Sequence, residues 1–174
     1  AQDMIDLADE VEAHLAMTFH RLLDSGLTLQ LNARRIRGWD PFLTGHTGKA
    51  LESVEYKFLH ASGVVAQCHV LPHKDLLKPG EHEAAAGPGG WAAQQGFYIY
   101  RNKRLLLAGG WLGLGERGRR WTRDEPHRLA RIRLDIPNSA DSEWKINILK
   151  STASVPVRLR SQFVKLGSET RDVA

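Results

Sequence analysis

Leu7, Val11, Leu15, Phe19, Leu22 and Leu23 recur at spacings of three and four, which predicts an amphipathic helix from about Asp6 to Asp24, stopped by Gly26. Leu27, Leu29 and Leu31 alternate with Thr28 and Gln30 as a half-buried strand does, and residues 32–35 supply a polar turn into Ile36. Val54–Leu59 and Val64–Val70 are β-rich runs around Ala61, Ser62 and Gly63, a hairpin pattern. Residues 71–95 sustain neither period and are punctuated by proline and glycine, so they read as a mobile loop. Phe97–Arg101 and Arg104–Leu107 flank Asn102 and Lys103, a tight hairpin with an aromatic first strand.

Beyond a glycine- and arginine-rich connection at 109–127, Leu129, Ile132, Leu134 and Ile136 predict another strand. Ile146 and Ile148 start a short final one before Pro156, and Val157, Phe163, Val164 and Leu166 suggest a closing helix. A helix, then about six or seven strands, then a helix is an α+β pattern: a mainly antiparallel or mixed sheet with helices packed on one face.

The 174 residues, 42% of them hydrophobic, suit one domain over 1–174. The longest apolar stretch, Leu105 to Gly115, is eleven residues with four glycines, too short and flexible for a bilayer, so no membrane partner is expected. The single cysteine, Cys68, can form neither an internal disulfide nor a thiolate metal site, which makes a reducing cytoplasm the expected compartment. The acidic opening AQDMIDLADE does not form a signal peptide, and a first residue other than Met suggests a piece of something longer.

Charge is unevenly distributed. Residues 1–24 hold six acids and one base, leaving 23 bases and 14 acids in the remainder. The densest basic run is Arg117, Arg119, Arg120, Arg123, Arg128, Arg131 and Arg133, which suits phosphate, an acidic protein or plain solvation.

Short motifs add little. Gly113, Gly115 and Gly118 spell G-x-G-x-x-G, but RRWTRDEP follows where a dinucleotide site needs a helix, so a turn-rich loop is the expected structure. Gly48 and Lys49 resemble the end of a Walker A loop, but Leu43 stands where its first glycine belongs and Ala50 cannot supply the magnesium hydroxyl. Cys68, His69, His73, Glu81, His82 and Glu83 are metal-capable, yet Cys68 and His69 should point to opposite faces of one strand, so a strand end and polar loop is expected rather than a metal site.

Three stretches together resemble one family. LNARRIRGWDPF (31–42), QGFYIYRNKRLLLAGGW (95–111) and HRLARIRLDIPNSADSEWKINILKS (127–151) look like the second, transducer domain of GHKL-type ATPases of the prokaryotic MORC-like branch, similar to those of MutL and gyrase B. The resemblance covers roughly residues 5–160 and implies a transducer-like fold. It also implies a preceding Bergerat ATPase domain that binds ATP and magnesium, homodimerisation of the longer protein, and a role in DNA transactions or phage defence. KINILKS resembles the strand and loop that carry a lysine to the nucleotide, which assigns the γ-phosphate contact to Lys150, with Lys145 as second candidate. The chain lacks the acidic base and asparagine, the D-x-G-x-G loop and the glycine-rich lid of a Bergerat domain, so alone it is expected neither to bind ATP tightly nor to hydrolyse it. Asp40-Pro41-Phe42 fits the transducer pattern. A different reading makes the chain a stand-alone nucleic-acid module, with the arginine run on phosphates and Phe97, Tyr98 and Tyr100 stacking on bases.

Overall fold

The computed structural model describes residues 2–45, 50–58, 61, 63–147 and 152–174. Their elements run α1 (Gln2–Thr18), α2 (His20–Asp24), β1 (Gln30–Leu31), β2 (Arg34–Arg35), β3 (Leu51–Glu52), β4 (Tyr56–Lys57) and β5 (Val65–Val70). Then come α3 (Pro79–Ala86), α4 (Gly90–Ala93), β6 (Gly96–Arg101), β7 (Arg104–Ala108), β8 (Gly115–Glu116), β9 (Arg119–Arg120), β10 (Ala130–Asp135), α5 (Asp141–Trp144) and α6 (Arg160–Val173). The architecture is α+β around a mixed six-stranded sheet ordered β3-β5-β10-β6-β7, with β4 also paired to β5. The central strand β10 runs antiparallel to β5 and parallel to β6, so Ile132 lies between Cys68 and Phe97.

Strand alternation sorts the side chains into two layers. Ala66, Phe97, Ile99, Ala130, Ile132 and Leu134 share one core cluster with Phe163, Leu166 and Leu159 from α6 and its lead-in. The opposite face carries Tyr98 and Tyr100, buried with Phe42 and Leu105 against Met17 of α1. Helices therefore touch both faces: α6 covers the first, while the α1–α2 junction sits on the second, where His20 Nε2 meets the Tyr100 hydroxyl at 2.7 Å.

The single helix expected over 6–24 is broken at Phe19. Ala16's carbonyl, which a continuous helix would offer to the His20 N–H, accepts from the Trp39 backbone at 3.1 Å instead. The break turns His20 into the core, while the apolar stripe is exposed at Leu7 and Val11. The strand expected over 27–31 shortens to Gln30–Leu31 and pairs with β2 across Asn32 and Ala33, both at positive φ.

Residues 71–95, expected as a loop, carry a 3-10 turn at Lys74–Leu76 and the helices α3 and α4, with irregular backbone between them. Pro79 opens α3, the Lys78 backbone N–H donates to Glu81 Oε2 at 3.1 Å, and Gly87 closes it at φ 66°. The Asn102–Lys103 hairpin and the Ala130–Asp135 strand form as expected. Of the expected final strand, the described residues show an isolated antiparallel bridge between Asn147 and Thr152, and Ile148 lies outside them. The closing helix is α6, with Phe163 and Leu166 buried, whereas Val157 sits on a preceding 3-10 turn, 91% exposed. Among the described residues no helix is long and apolar enough to cross a membrane.

Candidate functional site

The chain leaves β10 through Ile136, whose N–H donates to the Tyr100 carbonyl at 2.9 Å, and enters the segment that the transducer resemblance singles out. A 3-10 turn at Asn138–Ala140 leads into α5, which ends on Trp144. Trp144 is fully buried, its ring edge-on to Phe163 with centroids 5.4 Å apart, so it anchors the segment to α6. The returning segment is tied in three ways. Ser154 N–H donates to the Trp144 carbonyl at 2.8 Å, Asn147 and Thr152 exchange backbone bonds of 2.9 and 3.0 Å, and Ile146 and Ala153 pack against the main core. Arg158 then grips Glu143 with both fork nitrogens, at 2.5 and 2.6 Å. Lys150, the leading candidate for nucleotide contact, lies outside the described residues, between Asn147 and Thr152. Lys145, the second candidate, is exposed at φ 47°, the left-handed turn that reverses the chain after α5.

Asp40 has a structural role in this fold. Its carboxylate accepts from the backbone N–H groups of Phe42 at 2.9 Å and Thr44 at 2.8 Å and from the Thr44 hydroxyl at 2.6 Å. That turn seats Phe42 between the His69 ring, 4.5 Å away, and Tyr98, 5.4 Å away. A cleft of about 450 Å³ beside it is lined by Asp24, Trp39, Asp40, Thr44 and Glu81 among others. Its carboxylates would repel a phosphate.

The arginine run does not form one face. Arg117, Arg119, Arg120 and Arg123 are exposed, but Arg128 is paired with Glu125 at 2.8 Å and Arg133 with Glu55 and Asp135. Arg131 is fully buried, its Nη1 donating to the Arg128 carbonyl at 2.9 Å and its guanidinium 6.0 Å from the Trp91 ring. Alternation on β10 puts Arg131 and Arg133 opposite the core-facing Ile132 and Leu134; what the sequence did not reveal is that Phe42 and the α3–α4 segment cover that other face. Phe97, Tyr98 and Tyr100 are all 0% exposed, so base stacking on this strand is ruled out.

Among the described residues, the side chains of the other motifs take structural positions. Gly113, Gly115 and Gly118 lie in and before the β8–β9 hairpin, whose turn is Arg117–Gly118. The Gly48–Lys49 pair lies outside the described residues. Of the metal-capable side chains, Cys68 packs towards the α6 core and burial pushes its thiol pKa up, while His69 faces Phe42 on the other side. His73 contacts Asp75, and His82 stacks on Trp91 with centroids 4.9 Å apart. Glu81 caps α3, and Glu83 lies within the same helix.

A clasp between the 109–127 connection and α6 has no signal in the sequence pattern. The Arg171 guanidinium lies 4.8 Å from the Trp111 ring and 5.3 Å from the Trp121 ring, and it reaches Asp124 at 3.1 Å. Asp124 also meets His127 Nδ1 at 2.6 Å. Partial burial alone would raise the Asp124 pKa, but the hydrogen bonds from His127 and Arg171 outweigh it and hold the carboxyl below its usual value. No family model matches the chain, and no curated protein matches it either.

Proposed function

We propose that this chain is the transducer domain of a GHKL-type ATPase of the MORC-like branch, sensing nucleotide in a preceding ATPase domain through Lys150. The observation that carries this reading is the way the Lys150 segment is mounted. Its ends at Asn147 and Thr152 are locked to each other, and through Trp144 and Ile146 to the main core. The same segment continues β10, the strand at the centre of the sheet. Two of the stretches that carry the resemblance, 95–111 and 127–151, form β6, β7 and β10, neighbours in that sheet. A displacement of the segment would therefore act on the middle of the fold.

The chemistry suits an ammonium. Lysine meets a terminal phosphate as a compact point charge and loses that partner when the phosphate departs. A charge-assisted contact of this kind contributes about 1.5–3 kcal/mol, enough to bias a domain closure roughly tenfold to a hundredfold. ATP and magnesium belong to the preceding domain, and closure is relayed to dimerisation and DNA handling.

The test is Lys150→Ala in the protein that carries both this chain and the ATPase domain. ATP turnover is expected to fall tenfold or more with an unchanged circular dichroism spectrum. Turnover near the unsubstituted level would remove Lys150 from the mechanism.

A further inference from the structure

The arginines differ in how they are paired. Arg21, Arg34, Arg128, Arg133, Arg158 and Arg171 each meet a carboxylate. Arg35, Arg37, Arg104 and Arg123 are exposed with no ion-pair partner among the described residues, and so are Arg117, Arg119 and Arg120, which stand together. All three sit on the β8–β9 hairpin, which the structure builds as a rigid finger. Its turn holds Arg117 at φ 50° and Gly118 at φ 76°, the mirror-image two-residue turn whose twist suits a hairpin. Gly115 is obligatory, because a Cβ there would lie 1.9 Å from the Arg119 carbonyl oxygen.

The root of the finger is fixed in the core. Leu114 is fully buried and accepts from the Trp121 N–H at 2.9 Å. The Trp121 ring packs edge-on to Trp111 with centroids 5.5 Å apart, and it fits over α6 only because residue 167 is glycine, where a Cβ would come within 2.5 Å of the indole. Arg160, the first residue of α6, is exposed and donates to the Gly113 carbonyl at 2.9 Å, so a fourth guanidinium stands at the foot of the finger. Against these, Glu116 is the one carboxylate on the finger.

We propose that this finger, with Arg160 beside it, grips the phosphate backbone of duplex DNA. Guanidinium forks match phosphate oxygens, and a preformed two-stranded ribbon loses little freedom on binding. A ribbon of this kind also fits the width of the major groove. Duplex is favoured over single-stranded nucleic acid because the aromatic side chains of β6 are sealed in the core and offer no stacking platform. Contact requires no nucleotide, so its failure would leave the Lys150 reading untouched.

The experiment is a titration of a 30-base-pair duplex of arbitrary sequence with the chain, without nucleotide, at two or more salt concentrations. Three or four phosphate contacts predict that log K falls with log salt at a slope of about −3 to −4. The triple variant Arg117→Gln, Arg119→Gln, Arg120→Gln is expected to bind at least tenfold more weakly, with the slope reduced by about three. A variant that keeps its circular dichroism spectrum and binds as the unsubstituted chain does would overturn the proposal. So would tighter binding of oligo-dT than of duplex, or equal binding of polyglutamate at matched charge.

Discussion

Gly96→Ala is expected to destabilise the fold by about 4 kcal/mol, the sum of a strained backbone, a steric clash and two weakened hydrogen bonds. Gly96 opens β6 at φ 108°, a conformation that L side chains rarely adopt. The clash is with backbone and not with a side chain that could swing away: an added Cβ would lie 2.2 Å from the Gly110 carbonyl oxygen and 2.7 Å from its carbon. The strands meet this closely because Phe97 N–H donates to the Gly110 carbonyl at 2.9 Å and Gly110 N–H to the Gln95 carbonyl at 2.7 Å. Any shift that relieves the clash stretches both bonds, next to the fully buried Phe97. For a chain of this length that loss corresponds to a melting temperature lower by about 8–16 °C. Thermal or chemical denaturation checks it, and a loss below about 1 kcal/mol would show that the two glycine backbones are not in contact.

Acid is expected to weaken the protein well above the range in which carboxylates titrate. His69 is 2% exposed on β5, its ring against Phe42, and among the described residues neither ring nitrogen has a hydrogen-bond partner. Glu52 Oε1 lies 3.6 Å from Nδ1, beyond hydrogen-bonding distance, on a side chain that is 42% exposed. Burial first, and then the positive charge of Arg133, push the His69 pKa down to about 4, while Asp40 pulls weakly the other way. His20 shifts in the same direction, again through burial, against the raising influence of Asp40 and Asp24.

The sign follows from proton uptake. Above pH 6.5 the ring is neutral in both states, and its stabilising contribution is fully present. Between pH 6.5 and about 4 the unfolded chain takes up a proton that the folded chain refuses. Stability therefore falls by about 1.4 kcal/mol per pH unit, or about 3 kcal/mol by pH 4, from His69 alone. His69→Gln removes this slope and leaves the carboxylates in place, so the two proteins should diverge in stability as pH falls from 7 to 4. Parallel losses would show that His69 is not buried as a neutral ring.

The elements legible in the sequence are those whose local pattern and tertiary environment agree. The Asn102–Lys103 hairpin needed two residues at positive φ between β-rich runs, and on Ala130–Asp135 the apolar Ala130, Ile132 and Leu134 share the face that packs on α6. Helix α3 escaped a reading based on periodicity because it buries only Ala85. Its proline at the start, Glu81 in the first turn and Gly87 at the end were nevertheless visible as boundary signals. The break at Phe19 depends on Trp39, twenty residues away, which no local window contains. The arginines of β10 misled for the same reason: burial of Arg131 is decided by elements far along the chain. Of the candidate site, the sequence supplied the lysine and the segment, while its anchoring through Trp144 and the Asn147–Thr152 bridge became visible only in three dimensions.

Lys150 is proposed to read the terminal phosphate of the nucleotide. The deciding measurement compares the affinities of a non-hydrolysable ATP analogue and of ADP for the ATPase-containing protein, with and without Lys150→Ala. Loss of one charge-assisted hydrogen bond predicts that the variant binds the triphosphate roughly tenfold to a hundredfold more weakly and ADP unchanged. Equal weakening of both nucleotides, or of neither, would contradict it.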